Sequence, residues 1–395
     1  VKIVKQLSAV TGASLQTMHR RLVPCLVVVV GTGAVVGVLI SVLAMVAGMV
    51  KTLGDTGRAD HAIVLRQGAT TQISSTLPRS AIDLISDAPG VARDSDGKPI
   101  VSAETIAITL LSKRGATTAY SIPVHGIGPK FTKLRPDLKI IDGRTFTPGV
   151  NEVIVGKAAA AQFDGLNLGD RITIGTVPWT VVGTFTSNGD AFESSLITDS
   201  DTTLATRPGA VFNSVTVALE SPEAFQQFKA ALSSNPLLTV EVLPEQRYFE
   251  LQSARIKQLL STVAYIVGGV MAFGAIFAAL NTMYSTVSTR VVEIATLRAM
   301  GFRNGVIVTS LLIEALLLAL AGAAIGTALT VFVLNDYVVN SNAAGGGAQL
   351  VFELIVSPQI VLNATLWACA IGLLGGLFPA MRAARLPIAM GLRSR

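Results

Sequence analysis

Crossing the hydrocarbon of a bilayer as a helix takes roughly 20 mostly apolar residues, and the chain offers such stretches at Val23 to Val50, Leu259 to Tyr284, Val306 to Leu334 and Ile360 to Met381. Each is long enough to span with some tilt. The first follows Arg20 and Arg21, as a signal peptide would, but it is too long and its end, AMVAGMVKTLGD, reads as a helix running into a stalk. We read it as an uncleaved first span.

Between the first two spans the period changes. His61 to Leu65 is a short apolar run, Leu77 to Ser86 has helical spacing, and Thr105 to Leu111 reads as a strand. The order repeats before the second span, with Ser214 to Leu219 a strand, Pro222 to Leu232 a helix and Leu238 to Leu243 a strand. These are two β-α-β units. The middle reads as all-β, through Glu152 to Val155, Arg171 to Ile174, Trp179 to Phe185 and Ser194 to Ile197, set apart by Gly, Asp and Asn turns. The fold class is therefore membrane α-helical, four transmembrane helices, with an α+β extracytoplasmic domain of porter-like β-α-β units and an inserted β-rich subdomain. From Pro244 to Gln258 the chain is polar and helix-prone, and enters the second span without a breaker.

Composition agrees: 50% of residues are apolar and 14% charged, and the mean hydropathy is +0.58. A soluble protein of 395 residues is less oily, so lipid must cover the remainder. The net charge of +6 does not indicate nucleic acid, because acidic residues slightly outnumber basic ones from Lys51 to Arg255. The surplus sits at Lys2, Lys5, Arg20 and Arg21, at Arg290, Arg298 and Arg303, and at Arg382, Arg385, Arg393 and Arg395. The segment Asn335 to Ser357 has no Lys or Arg. By the positive-inside rule both termini are cytoplasmic and the large domain lies outside. The cysteines, Cys25 and Cys369, sit in or at the edge of spans and cannot staple that domain; about 200 residues suffice for a core of their own.

The segments are then 1–22 cytoplasmic, 23–50 first span, 51–258 outer domain (porter-like 57–125 and 210–250, insert 126–209), 259–284 second span, 285–305 cytoplasmic helix, 306–334 third span, 335–359 short outer loop, 360–381 fourth span and 382–395 cytoplasmic tail.

Ser288 to Gly305, STRVVEIATLRAMGFRNG, is the most informative stretch. Val291, Ile294, Ala295, Leu297 and Met300 are apolar positions of a helix that also carries Arg290, Glu293 and Arg298, and Gly301 suits its C-terminal cap. Such a helix either lies on the lipid surface or docks into a cytoplasmic partner. Small residues recur at four-residue spacing in the spans: Gly33 and Gly37, Gly322 and Gly326, Gly372 and Gly376. They permit close helix contact, inside one bundle or across a dimer. Glu314 is the acidic residue well inside a span, a functional candidate by default; at about two turns from the cytoplasmic end we favour a structural role. His19, His61 and His125 are scattered, without metal-ligand spacing, and no nucleophile motif marks the outer domain as an enzyme.

The run RVVEIATLRAMGFRNGVI followed by LLIEALLLALAGAAIG, the ending GGLFPAMRAARLPIAMGLR, and the middle pieces NEVIVGKAAAAQF, GDRITIG and WTVVGTF resemble MacB-type permeases, the ABC transporter family that includes LolC, LolE and FtsX relatives. The resemblance implies a dimeric permease, of identical or paralogous subunits, in the bacterial inner membrane. Its outer domain would be the MacB periplasmic core domain, and the loop between the second and third spans would touch the ATPase, with Arg290, Glu293, Ile294, Leu297, Arg298, Ala299, Met300 and Gly301 as coupling positions. We expect it to depart from MacB in having no fused ATPase domain. A Walker A needs Gly-x-x-x-x-Gly-Lys-Ser/Thr, whereas Gly156-Lys157 is followed by Ala158 and Gly97-Lys98 by Pro99. We therefore expect a non-catalytic subunit with no cofactor of its own, ATP and magnesium being bound by a separate ABC ATPase. A periplasmic membrane-fusion adaptor, or a lipoprotein or lipid acceptor, would complete it. The alternative is an FtsX-like signalling device that regulates a cell-wall hydrolase.

Overall fold

Helices form wherever the apolar runs are long enough to span. In the computed structural model, which describes residues 12, 22–115, 119–207, 209, 211–334, 338–342 and 349–385, α1 is Leu22–Gly54. Among the described residues, the helix beginning at Val23 and three others, Glu245–Thr289, Asn304–Leu334 and Pro358–Arg385, are long and apolar enough to cross a membrane. The charges expected at Lys2, Lys5, Arg20, Arg21, Arg393 and Arg395, and His19, lie outside the described residues. The chain divides into a helical unit (Val1–Ala47, Gln258–Tyr337, Leu354–Arg395) and an α/β unit (Gly48–Lys257, Val338–Glu353).

In the α/β unit ten strands form one sheet: β1 His61–Arg66, β2 Val101–Ser112, β3 Ala119–Ile127, β4 Lys139–Gly143, β5 Glu152–Gly156, β6 Arg171–Ile174, β7 Val177–Thr186, β8 Leu196–Asp199, β9 Ser214–Ala218 and β10 Val240–Pro244. The order is β10-β1-β9-β2-β3-β8-β5-β7-β4, with β6 on β7. Short helices punctuate it: α2 Arg79–Ser86, α3 Phe131–Leu134, α4 Lys157–Gln162, α5 Ser200–Thr206 and α6 Ala224–Ser234. The two β-α-β units interleave, because β9 pairs antiparallel with both β1 and β2 while β10 pairs antiparallel with β1. Strand β1 is buried on both faces, which is why it reads as a continuous apolar run. Ala62 and Val64 pack with Ala81, Ile85, Phe228 and Leu232; Ile63 and Leu65 pack with Tyr248.

The insert begins inside β2, which corrects the border expected at residue 126. Residues Val101 to Glu104 pair with β9, whereas Thr105 to Ser112 pair with β3, and Ala107, Ile122 and Val124 belong to the core of Val153, Val155, Trp179 and Val181. One long strand thus serves two cores. Nor is the middle all-β, since α3, α4 and α5 lie within it. Val153 and Val155 face one core and Ile154 the other, the period of two expected of a strand covered on both faces. In β7 that period slips. Val153 lies opposite Val181 but Ile154 lies opposite Gly183, so Val182 is an extra residue. The slip puts Val181 and Phe185 in different cores although they are an even four positions apart. A side chain at Gly183 would meet the Arg144 carbonyl oxygen at 2.2 Å.

The remaining helices are α7 Glu245–Thr289, α8 Val291–Ala299, α9 Asn304–Leu334 and α10 Pro358–Arg385. The polar Glu245 to Gln258 stretch and the apolar stretch beyond it are one helix. Three expected boundaries are corrected. The helix expected over 285–305 is nine residues, because α7 runs to Thr289 and α9 starts at Asn304. The segment expected to be a loop over 335–359 holds two paired antiparallel strands, β11 Val338–Asn342 and β12 Gln349–Glu353. The tail expected from residue 382 begins as helix, since α10 continues to Arg385.

Candidate functional site

The helical unit builds its site around α8. Gly301 follows the last turn with φ +92°, and the Phe302 amide donates to the Leu297 carbonyl at 3.2 Å; a left-handed glycine ends the helix as a cap does. At the other end Arg290 donates through Nε to Glu293 Oε2 at 2.9 Å and through Nη2 to Glu293 Oε1 at 3.2 Å. Its Nη1 reaches Glu314 Oε2 on α9 at 3.2 Å. Arg290 is 5% exposed and Glu314 4%. Breaking a buried charge pair is costly, so the network fixes the start of α8 against α9.

The buried face of α8 is Ile294 and Ala295, with Ile294 among Val287, Ile307, Leu311, Ala380 and Ala383. Of the expected coupling positions, Arg290 and Ile294 are thus buried inside the unit. Glu293, Ala299, Met300 and Gly301 are exposed, and Leu297 and Arg298 half-buried. Val292 and Thr296 are exposed as well, although neither stands out in the sequence as a contact position. Val292, Thr296 and Ala299, at i, i+4 and i+7, form one helical stripe; no run of one chemistry draws it.

The glycine pairs close contacts within the bundle. A Cβ on Gly33 would lie 3.0 Å from the Gly322 oxygen, one on Gly326 2.4 Å from the Gly33 oxygen, and one on Gly37 3.1 Å from Thr330 Oγ1. Those on Gly372 and Gly376 would meet Ala319 Cβ at 2.7 Å and Ala315 Cβ at 2.8 Å. Backbone contact of this kind is how small residues hold helices together in lipid. Gly375 against Ala279 Cβ at 2.6 Å belongs with them. Outward, Val270, Phe273, Phe332, Leu366 and Phe378 are exposed, which suits lipid.

The α/β unit carries a buried charged cluster that no local motif announced. Glu104 accepts from Thr216 Oγ1 at 2.8 Å and from Gln72 Nε2 at 3.3 Å, and burial pushes its carboxyl up to about 7. Burial likewise raises Asp190 to about 6, and burial with the charge of Arg135 lowers His125 to about 4. Arg135 donates to Glu245 Oε1, and His61 Nδ1 lies 3.2 Å from Glu245 Oε2. Cys25 and Cys369 are not joined in a disulfide. No group of three or more His, Cys, Asp or Glu placed to hold a metal occurs among the described residues.

Two family profiles match the chain: the MacB-like periplasmic core domain over residues 25–235 and the FtsX-like permease C-terminal over residues 265–388. Among curated proteins, Macrolide export ATP-binding/permease protein MacB 1 of Aeromonas hydrophila is 28% identical over 71% of this chain and 45% of its own length. MacB of Escherichia coli is 27% identical over 69% of this chain and 43% of its own. The chain spans about half the length of the curated relatives it matches. Among solved structures, the periplasmic region of MacB from Actinobacillus actinomycetemcomitans is similar at 18% identity and a TM-score of 0.35, over 51% of this chain and 92% of that one. The extracellular domain of the ABC-type transporter YknZ from Gram-positive bacteria has the same identity and TM-score over 46% and 99%. With a matched periplasmic core domain, a matched FtsX-like permease segment and four helices fit to span a membrane, the chain belongs to the MacB-type family of ABC transporter permeases.

Proposed function

We propose that the chain is the permease subunit of a MacB- or LolCDE-type ABC transporter, in which a separate ATPase subunit hydrolyses ATP and the permease converts it into motion of the periplasmic domain. The observation that carries this is α8. It is a short helix between two apolar helices, pinned at one end by Arg290 to Glu314 and offering Val292, Glu293, Thr296, Ala299 and Met300 on its exposed side. A pinned helix passes a push to the helices that hold it. On this reading the nucleotide belongs to the ATPase.

The spans act as levers: the helices present apolar surface outward and close small-residue contacts inward, an arrangement with few groups to solvate a hydrophilic cargo. Cargo then enters from the periplasm or the outer leaflet. The subunit works as a dimer in the bacterial inner membrane with α8 on the cytoplasmic side, and an adaptor or a lipid-accepting partner receives the cargo outside. The test is to purify the chain in nanodiscs with the ATP-binding protein that accompanies it and to compare ATP hydrolysis of wild type, Val292→Glu and Met300→Glu. Reduced hydrolysis at unchanged complex content supports the reading; wild-type hydrolysis in both variants removes it.

A further inference from the structure

The chain leaving α1 and the chain entering α7 touch backbone to backbone. A Cβ on Gly57 would lie 2.6 Å from Gln246 Cα, so only glycine fits there. At this crossing three polar contacts converge on Glu245, the first residue of α7 and 2% exposed. Its Oε2 accepts from the Arg58 amide at 3.1 Å and sits 3.2 Å from His61 Nδ1. Its Oε1 accepts from Arg135 Nη2.

Arg135 comes from neither segment. It follows α3 in the insert and is 7% exposed, with its guanidinium 4.9 Å over the Phe192 ring. While one nitrogen holds Glu245, the other donates to the Thr56 carbonyl just past α1. Thr56 is gripped from the insert a second time, its hydroxyl accepting from the Ala191 amide at 3.1 Å. A planar fork reaches a carbonyl and a carboxylate at once; an ammonium is a point charge and does not. A buried charge pair is a poor source of stability compared with apolar packing, so its use here points to geometry. The carboxylate also lies at a helix N-terminus, where negative charge is favoured.

We propose that Arg135 is a positioning clamp that fastens the exit of α1, the entry of α7 and the insert into one piece, so that neither segment shifts without the other. Its consequence for coupling rests on the ATP-driven reading above; the clamp itself does not. The test uses the full chain in nanodiscs, without nucleotide, and follows amide hydrogen exchange. In Arg135→Met/Glu245→Gln, which removes both charges together and so spares the fold, residues 52–60 and 245–250 exchange about tenfold faster, while β5 exchanges as in wild type. Arg135→Lys, which reaches one acceptor only, behaves like the double variant. Unchanged exchange in the folded double variant, or full protection restored by lysine, overturns the clamp. In the complex with its ATP-binding partner, the double variant lowers ATP hydrolysis by about fivefold or more. Hydrolysis that responds to Val292→Glu and not to the double variant overturns the clamp's part in coupling; hydrolysis that responds to neither overturns the ATP-driven reading instead.

Discussion

Arg290 and Glu314 meet at 3.2 Å, both almost fully buried, and so join the short helix α8 to the inside of α9. The contact gives Glu314 a role an isolated intramembrane carboxylate would not have: it anchors the residue just ahead of α8. The rest of Arg290 is spent on Glu293, so one guanidinium sets both where α8 starts and how it is turned.

Arg290→Ala should therefore destabilise the helical unit by about 3–5 kcal/mol, the usual cost of taking one partner from a buried pair. Adding Glu314→Gln should recover much of it, because the carboxylate charge is then gone as well. Thermal unfolding of the purified chain in detergent, followed by Trp367 fluorescence, measures both. A double variant no more stable than Arg290→Ala would contradict the pairing.

The glycine seam makes a second contrast. Gly326→Val places carbon within 2.4 Å of the Gly33 oxygen, a backbone atom, and should cost about 1–3 kcal/mol or more. Gly305→Ala meets nothing within 4 Å and should be neutral or slightly stabilising, since alanine is the better helix former. Melting midpoints of the two variants, measured side by side, check the seam.

The α/β unit should respond to pH through Glu104. Its folded pKa, about 7, lies above the usual carboxylate value, so the folded state holds a proton that the unfolded state releases. Stability is highest below pH 4 to 5 for this group and falls as pH rises to 7. Asp190, raised to about 6, acts with the same sign; His125, lowered to about 4, acts on the acid side, where the unfolded state takes up the proton first. Glu104→Gln should flatten the decline and raise the Trp179 unfolding midpoint at pH 8, by an amount on the order of 2–4 kcal/mol at 1.4 kcal/mol per pKa unit. An unchanged slope would show that Glu104 is ionised in the fold.

Much of this was legible where one residue pattern dictates one environment. HAIVL is buried on both sides and looks it; Glu314 is an acid among apolar residues and looks it. Other features leave little local trace. β3 contains Pro123, tolerated because pairing with β8 begins only at Val124, and β4 is exposed throughout, so neither shows the pattern of a core strand. Glu245 lies 110 positions from Arg135 and 184 from His61; nothing in either neighbourhood marks the pair. The bulge at Val182 is likewise a property of two strands in register.

The most direct test of the account compares two faces of one short helix. Met300→Glu changes a residue 64% exposed, and Ile294→Glu one 5% exposed. In the nanodisc complex with its ATP-binding partner, the account predicts that Met300→Glu leaves the melting midpoint unchanged and lowers ATP hydrolysis by about fivefold or more, whereas Ile294→Glu lowers the midpoint itself. Wild-type hydrolysis in Met300→Glu, in a complex that forms normally, would contradict the claim that α8 receives the ATPase.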